Sequence, residues 1–292
     1  MKYSMDGKIK YLKKENEVGA ELVYEKYRGI DIPVFKYPIL EETGVVKHLF
    51  STRTGGVSEG VCATMNLSYS RGDRKESVDE NFRRIAAIMD GTVEDIVCSD
   101  QTHTTNVIKI TAEHRGNGVA YENRFHDVDG MITDEKDIIL ATFYADCVPL
   151  YFVDVKNKAI GLAHSGWKGT VGRIGREVVS AMEREYGTKA EDLVCAIGPS
   201  ICKDCYEISE DVASAFEKEF PDYVDDILEN KGNGKYHLDL WRTCRIILEE
   251  AGVKPENIAL PGVCTCCNHE LLFSHRASMG KRGNLGAFMK LV

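Results

Sequence analysis

Apolar positions recur along this chain in two rhythms. In the middle they form continuous or alternating runs rich in β-branched and aromatic residues, at Ile138 to Phe143, Val148 to Asp154 and Ala159 to His164. Short polar breaks separate these runs, so each predicts a strand. Val45 to Arg53, Asp95 to Cys98, Asn106 to Ile110, Asp192 to Ile197 and Leu285 to Val292 carry the same signal. The second rhythm has the helical period. Val78, Phe82, Ile85 and Met89 fall on one face, which predicts a helix from Ser77 to Met89 with Ser77 as its N-cap. Further helices are expected over Thr170 to Tyr186, Ser209 to Phe220 and Leu238 to Ala251.

Near the start, alternation through Lys8-Ile9-Lys10-Tyr11-Leu12 and Glu21-Leu22-Val23-Tyr24 suggests short strands, with Pro33 and Pro38 marking a connection. Residues 1–44 read as a β meander packed on a main body of residues 45–292. Glu229 to Lys235 reads as an exposed loop. The chain has neither internal repeats nor a Pro/Gly/Ser-rich linker. The expectation is one α+β domain of mixed β-sheets flanked by helices.

Composition narrows the function classes. With 43% hydrophobic and 28% charged residues, the 292-residue chain has an ordinary globular make-up. A net charge of −9 argues against a nucleic-acid partner, because phosphate backbones are held by concentrated Lys and Arg. The opening MKYSMDGKIKYLKKENEVG has no continuous apolar core, and no stretch is long and apolar enough to span a bilayer. A cytoplasmic protein with no membrane partner is expected. In a reducing compartment the ten cysteines are more naturally buried, metal-binding or catalytic than disulfide-bonded.

Three metal-capable side chains stand at the ends of expected strands: His103 in DQTHTTNV, Cys147 in FYADCVPLYF and His164 in GLAHSGWKG. Two imidazoles and a thiolate suit zinc, and three protein ligands leave a fourth position for water or substrate, as in a catalytic site. Cys147 and His164 equally satisfy the needs of a cysteine nucleophile and its base. A packed, non-ligating role is also open, since the spacing carries no local signature.

The words around these residues are more specific. STRTGGVS, MNLSYSRGD, DQTHTTNV, DGMIT, ADCVPLYF, AHSGWKGTVGRI, AIGPSICKDCYEIS and FSHRASMGKRGN occur in order from residue 45 to the end. Together they resemble the laccase-domain family, also called YfiH-like or multicopper polyphenol oxidase-like. The resemblance implies a YfiH-like layered fold, akin to cysteine hydrolases, and a metal held by His103, Cys147 and His164. The family's Q-x-H is usually followed by Gly, where this chain has Thr104. The resemblance also implies phosphorolysis of adenosine, inosine and methylthioadenosine to base and ribose 1-phosphate, with adenosine deaminase activity alongside. Purine nucleosides and inorganic phosphate would be the partners, acted on by a monomer or weak homodimer. Copper oxidation is the weaker implication. Several coppers need many histidines, and His48, His114, His126, His237, His269 and His275 show no H-x-H pairing.

Other residues carry alternatives. Asp146 is the nearest carboxylate for a proton shuttle in deamination, yet strand alternation would point it away from Cys147 as a buried hydrogen-bonding residue. Lys168, Arg53, Arg276 and Arg282 are the cations inside family-like words, any of which could hold phosphate or lie on the surface. Trp167 could stack on a purine or anchor a loop. Asn66 and Asp73 could reach ribose hydroxyls or shape a turn. Cys202-Lys-Asp-Cys205 and Cys264-Thr-Cys266-Cys267, with His269 close behind, could form a second metal site or a redox pair. A non-catalytic metal- or partner-binding module is the reading from another class.

Overall fold

A computed structural model describes residues 2–6, 9–13 and 19–292. The apolar runs become strands covered on both faces. Val148–Asp154 and Ala159–Ser165 are buried at every position, so neither face can carry the polar alternation of a solvated strand. Alternate side chains enter different cores. Leu150, Phe152 and Ala163 pack with Val178, Met182 and Ile247 of the helices Ile174–Tyr186 and Leu240–Glu250. Tyr151, Val153, Ile160 and Leu162 point the other way, onto Phe50, Leu140 and Met289 of a second sheet.

Each of the two large sheets has six strands. The first runs Ile258–Ala259, Leu193–Ile197, Val148–Asp154, Ala159–Ser165, Gly130–Thr133, Val107–Lys109, with an antiparallel centre and a parallel strand at either edge. The second runs Glu21–Tyr27, Ile30–Lys36, Val46–Ser51, Leu285–Leu291, Ile139–Tyr144, Ile96–Val97. Its outer face is covered by the helix Lys75–Ile88, whose Val78, Phe82 and Ile85 meet Val34, Leu49 and Phe288. The order of layers is helices, sheet, sheet, helix, and the expected single α+β domain with mixed sheets is the observed one. A three-stranded sheet of Glu207–Ser209, Lys235–Leu238 and Leu228–Gly232 lies beside this body.

Local departures have local causes. Of the meander expected over residues 1–44, residues 1, 7–8 and 14–18, Lys8 among them, lie outside the described residues. The hairpin of Glu21–Tyr27 and Ile30–Lys36 forms the edge of the second sheet, pairing Val34 with Ser51 and Phe35 with Phe50. Pro33 therefore lies inside a strand, where its carbonyl accepts the Thr52 hydroxyl at 2.8 Å. Ser77 is not a cap: Arg74 occupies the N-cap, and Ser77 is buried in the first turn. The helix expected from Thr170 breaks at Arg173, which is left-handed with φ 62°. The loop expected at Glu229 to Lys235 is a hairpin turning at Asn233 and Gly234, both with positive φ. Asn-Gly is a strong hairpin signal. No helix among the described residues is long and apolar enough to cross a membrane.

Candidate metal centre

Cys147 immediately precedes one central strand and His164 lies near the end of its antiparallel neighbour, with Val148 opposite Ser165 and Pro149 opposite His164. The register thus brings both residues to one end of the first sheet. By the alternation that sorts Tyr151 and Leu162, both belong to the face turned toward the second sheet. His103 arrives from the loop between Ile96–Val97 and Val107–Lys109, in a left-handed conformation with φ 69°. Gly166 makes room for it: a Cβ there would lie 2.3 Å from His103 Cδ2 and 3.3 Å from Cys147 Sγ.

The three donor atoms lie within 4.8 Å of one another. Cys147 Sγ is 3.8 Å from His103 Nε2, and the two imidazole rings meet edge to face with centroids 4.9 Å apart. A tetrahedral zinc with bonds of about 2.3 Å to sulfur and about 2.0–2.1 Å to nitrogen puts those ligands about 3.6 Å apart, so the trio fits such an ion.

Asp129 organises this cluster. Its carboxylate is fully buried and accepts His164 Nδ1 at 2.7 Å, the backbone N–H of Thr102, His103 and Thr104, and the Thr104 hydroxyl. With Nδ1 engaged, His164 presents Nε2 to the other two ligands. Threonine at position 104 is accommodated because the left-handed residue of the turn is His103, and the Thr104 hydroxyl adds a bond of 2.9 Å to Asp129. Burial would push the Cys147 thiol up, but the His164 charge and the His103 hydrogen bond outweigh it and bring it down to about 6. His164 is raised to about 9: burial opposes, while the Cys147 thiolate and Asp129 prevail. Asp129 is held below the usual carboxylate range, since its bonds to His164 and Thr104 outweigh burial.

The trio opens on a cavity of about 420 Å³, within the range of small-molecule sites. Tyr69, Phe82, Phe143 and Tyr144 supply aromatic wall, and Ser68, Asp100, Arg71 and Arg282 supply polar groups. Arg282 lies beside the trio: its guanidinium is lowered to about 10, first by burial and then by Arg71, with Cys147 and Asp146 acting in the opposite sense. Its Nε is buried with no hydrogen-bond partner.

The other residues singled out in the sequence sit elsewhere. Asp146 is left-handed, with φ 88°, and its carboxylate turns from the trio to accept the Thr265 hydroxyl at 2.6 Å and the Arg276 N–H at 2.7 Å. Arg276 donates to the carbonyls of Cys205 and Glu207. Arg53 donates to the carbonyls of Ala63 and His269 and lies over the Phe273 ring. Trp167 packs against the helical core with Lys168 over its ring. Asn66 is buried, donating to Asp73 and the Ser68 carbonyl and accepting the Asn284 N–H. Sequence reasoning assigned no role to Asp129, Arg71 or Gly166, although all three fall in words already quoted.

Comparison with known proteins places this chain among relatives. Residues 47–292 match the family described as multi-copper polyphenol oxidoreductase laccase. The purine nucleoside phosphorylase YlmD of Bacillus subtilis is 36% identical over 241 residues, 82% of this chain and 86% of that protein. An adenosine deaminase, RL5, from an unknown prokaryotic organism is 34% identical over 229 residues, 78% of this chain and 87% of its own. The crystal structure of YfiH from Bacillus licheniformis superposes with a TM-score of 0.85 at 31% identity, covering 89% of this chain and 96% of that one.

Proposed function

The chain belongs to the multi-copper polyphenol oxidoreductase laccase family and is an enzyme, and from that premise we propose that it is a zinc-dependent purine nucleoside phosphorylase with adenosine deaminase activity. The observation that carries the reading is the convergence of His103, Cys147 and His164 on the wall of a cavity that also holds Arg71 and Arg282. The names of the relatives supply the substrate class.

His103, Cys147 and His164 would hold the ion, which when bound supplies a Lewis acid at the cavity wall. One thiolate and two imidazoles with a fourth side open suit zinc. Among the described residues no other group of histidines lies close enough to hold a further metal ion, whereas a multicopper oxidase needs several such groups. Asp129 fixes the His164 ring and the turn carrying His103. Arg282 and Arg71, which line the cavity beside the trio, receive the phosphate dianion. In phosphorolysis a phosphate oxygen bonds to ribose C1′ as the bond from C1′ to the purine nitrogen breaks, and the base leaves with a proton. In deamination water replaces the purine amino group, releasing ammonia. Asp146, with both carboxylate oxygens engaged, serves to position the Arg276 loop.

A cysteine hydrolase is the second reading, favoured by the thiol of Cys147 lying near pH 6 beside His164. A nucleophile and base do not require His103, whose Nε2 also faces the sulfur at 3.8 Å. Incubation of zinc-loaded protein with adenosine and phosphate tests the proposal. Adenine, ribose 1-phosphate and a slower release of inosine are expected. The reading fails if neither adenine nor inosine rises above a His164→Ala control.

A further inference from the structure

On the far side of Asp146 from the trio lies a second set of soft donors. The strands Leu193–Ile197 and Ile258–Ala259 run parallel, with Cys195 opposite Ile258, so the loops that follow them emerge side by side. Each loop carries a pair of cysteines three residues apart. Ser200 bridges to Cys264, and the Thr265 N–H donates to the Ser200 carbonyl at 3.1 Å, which locks the two loops together. We propose that Cys202, Cys205, Cys264 and Cys267 form a metal site independent of the catalytic reading above, taking one zinc ion in a closed shell of four thiolates.

The geometry carries this assignment. The four sulfurs lie within 4.8 Å of one another, and those of Cys205 and Cys267 are 3.4 Å apart. Bonds of about 2.3 Å from a tetrahedral zinc put its sulfurs about 3.8 Å apart, close to this spacing. A two-iron or four-iron cluster interposes sulfide and several irons and holds its cysteines farther apart, so the compactness selects a single ion. The ten cysteines form no disulfide among the described residues. Cys264 Sγ receives the backbone N–H of Cys202 at 3.3 Å and of Cys267 at 3.4 Å, bonds that stabilise a thiolate acceptor. Cys202 and Cys264 are buried and Cys205 and Cys267 half-buried. Cys266 and His269, which the sequence places in the same stretch, stay outside the group.

Four protein ligands leave no position for substrate, so the ion is structural. It fastens two loops that reach the catalytic strand: Thr265 holds one oxygen of Asp146, Ile201 donates to the Asp146 carbonyl, and Arg276 ties the Cys205 carbonyl to the other Asp146 oxygen. The residue so gripped is the one before Cys147.

Metal content of the whole chain, purified under reducing conditions, tests the site. The wild type is expected to carry two zinc ions per chain. The His103→Ala/Cys147→Ala protein keeps one, and this variant leaves the four-cysteine cluster untouched. Cys205→Ser/Cys267→Ser loses one, and its thermal midpoint falls. In the cobalt-loaded His103→Ala/Cys147→Ala protein, sulfur-to-cobalt charge transfer and tetrahedral d–d bands report a thiolate shell. A His103→Ala/Cys147→Ala protein free of zinc would overturn the proposal, whether or not the cysteine variant folds. So would iron with acid-labile sulfide, or an intact mass two hydrogens short from a disulfide between these cysteines.

Discussion

Two clusters of soft donors flank Asp146, one with three ligands and an open side, the other with four and none. The trio draws on three separate chain segments, its His164 is oriented by a buried carboxylate, and its free side faces the cavity. The quartet draws on two adjacent loops, one of its sulfurs, Cys264 Sγ, accepts two backbone amides, and none of its four cysteines lines the cavity that the trio faces. A proposed site of reaction and a proposed brace differ in how their coordination positions are filled. A reacting centre keeps one coordination position for chemistry, and its histidine is held by an acceptor behind it, here the Asp129 carboxylate. A brace spends every position on protein and can be built from local turns.

The comparison breaks most decisively at His164. His164→Ala removes a proposed ligand and strands Asp129, both nearly or wholly buried. Loss of one partner from a buried pair costs about 3–5 kcal/mol, readable by thermal or chemical denaturation. Nucleoside turnover should drop to that of zinc-free protein while the quartet keeps its ion. Turnover near the wild-type rate would dissolve the distinction. Asp129→Asn is the next largest: zinc affinity at the trio should fall about 10–100-fold, with none lost at the quartet, in a competition titration against a chelator. An equal loss at both sites would mean that Asp129 supports the fold generally.

Arg282→Ala should weaken phosphorolysis about tenfold, the lower end of a charge-assisted contact worth about 1.5–3 kcal/mol, because Arg71 remains. Deamination, which takes no phosphate, should lose much less, so the ratio of adenine to inosine from adenosine falls at fixed phosphate. Arg53→Ala and Lys168→Ala, whose side chains are engaged away from the cavity, should leave that ratio unchanged. A shift in Arg53→Ala or Lys168→Ala and none in Arg282→Ala would move the phosphate site. The smallest effect is Thr265→Val, which deletes one of the two bonds to the Asp146 carboxylate. A loss of about 0.5–1.5 kcal/mol is expected on denaturation, with zinc retained at both centres.

Much of the fold was legible because burial writes itself into periodicity. Val148–Asp154 was read at its observed limits, since a strand covered on both faces must be apolar throughout. The Asn233-Gly234 hairpin was missed because its strands are largely exposed and carry no apolar rhythm. Cys147 and His164 could be paired in advance as ends of neighbouring strands. Asp129 could not, because its role depends on five donors brought to it by two other segments. The cations were harder still. Arg53 and Arg282 are equally charged on paper, and only the fold sends one to the carbonyls of Ala63 and His269 and the other to the cavity wall, where it also holds Asn284. The quartet had the plainer local spacing, but its second pair was blurred by Cys266, and only the fold selects Cys264 with Cys267.

The proposed function requires the trio to be an open zinc centre facing the cavity. Anomalous diffraction at the zinc edge from crystals of zinc-loaded protein tests it most directly. A peak is expected bonded to His103 Nε2, Cys147 Sγ and His164 Nε2 at about 2.0–2.3 Å, with its fourth neighbour a non-protein atom on the cavity side. No peak between these three side chains, or a peak there closed by a fourth protein ligand, would contradict it.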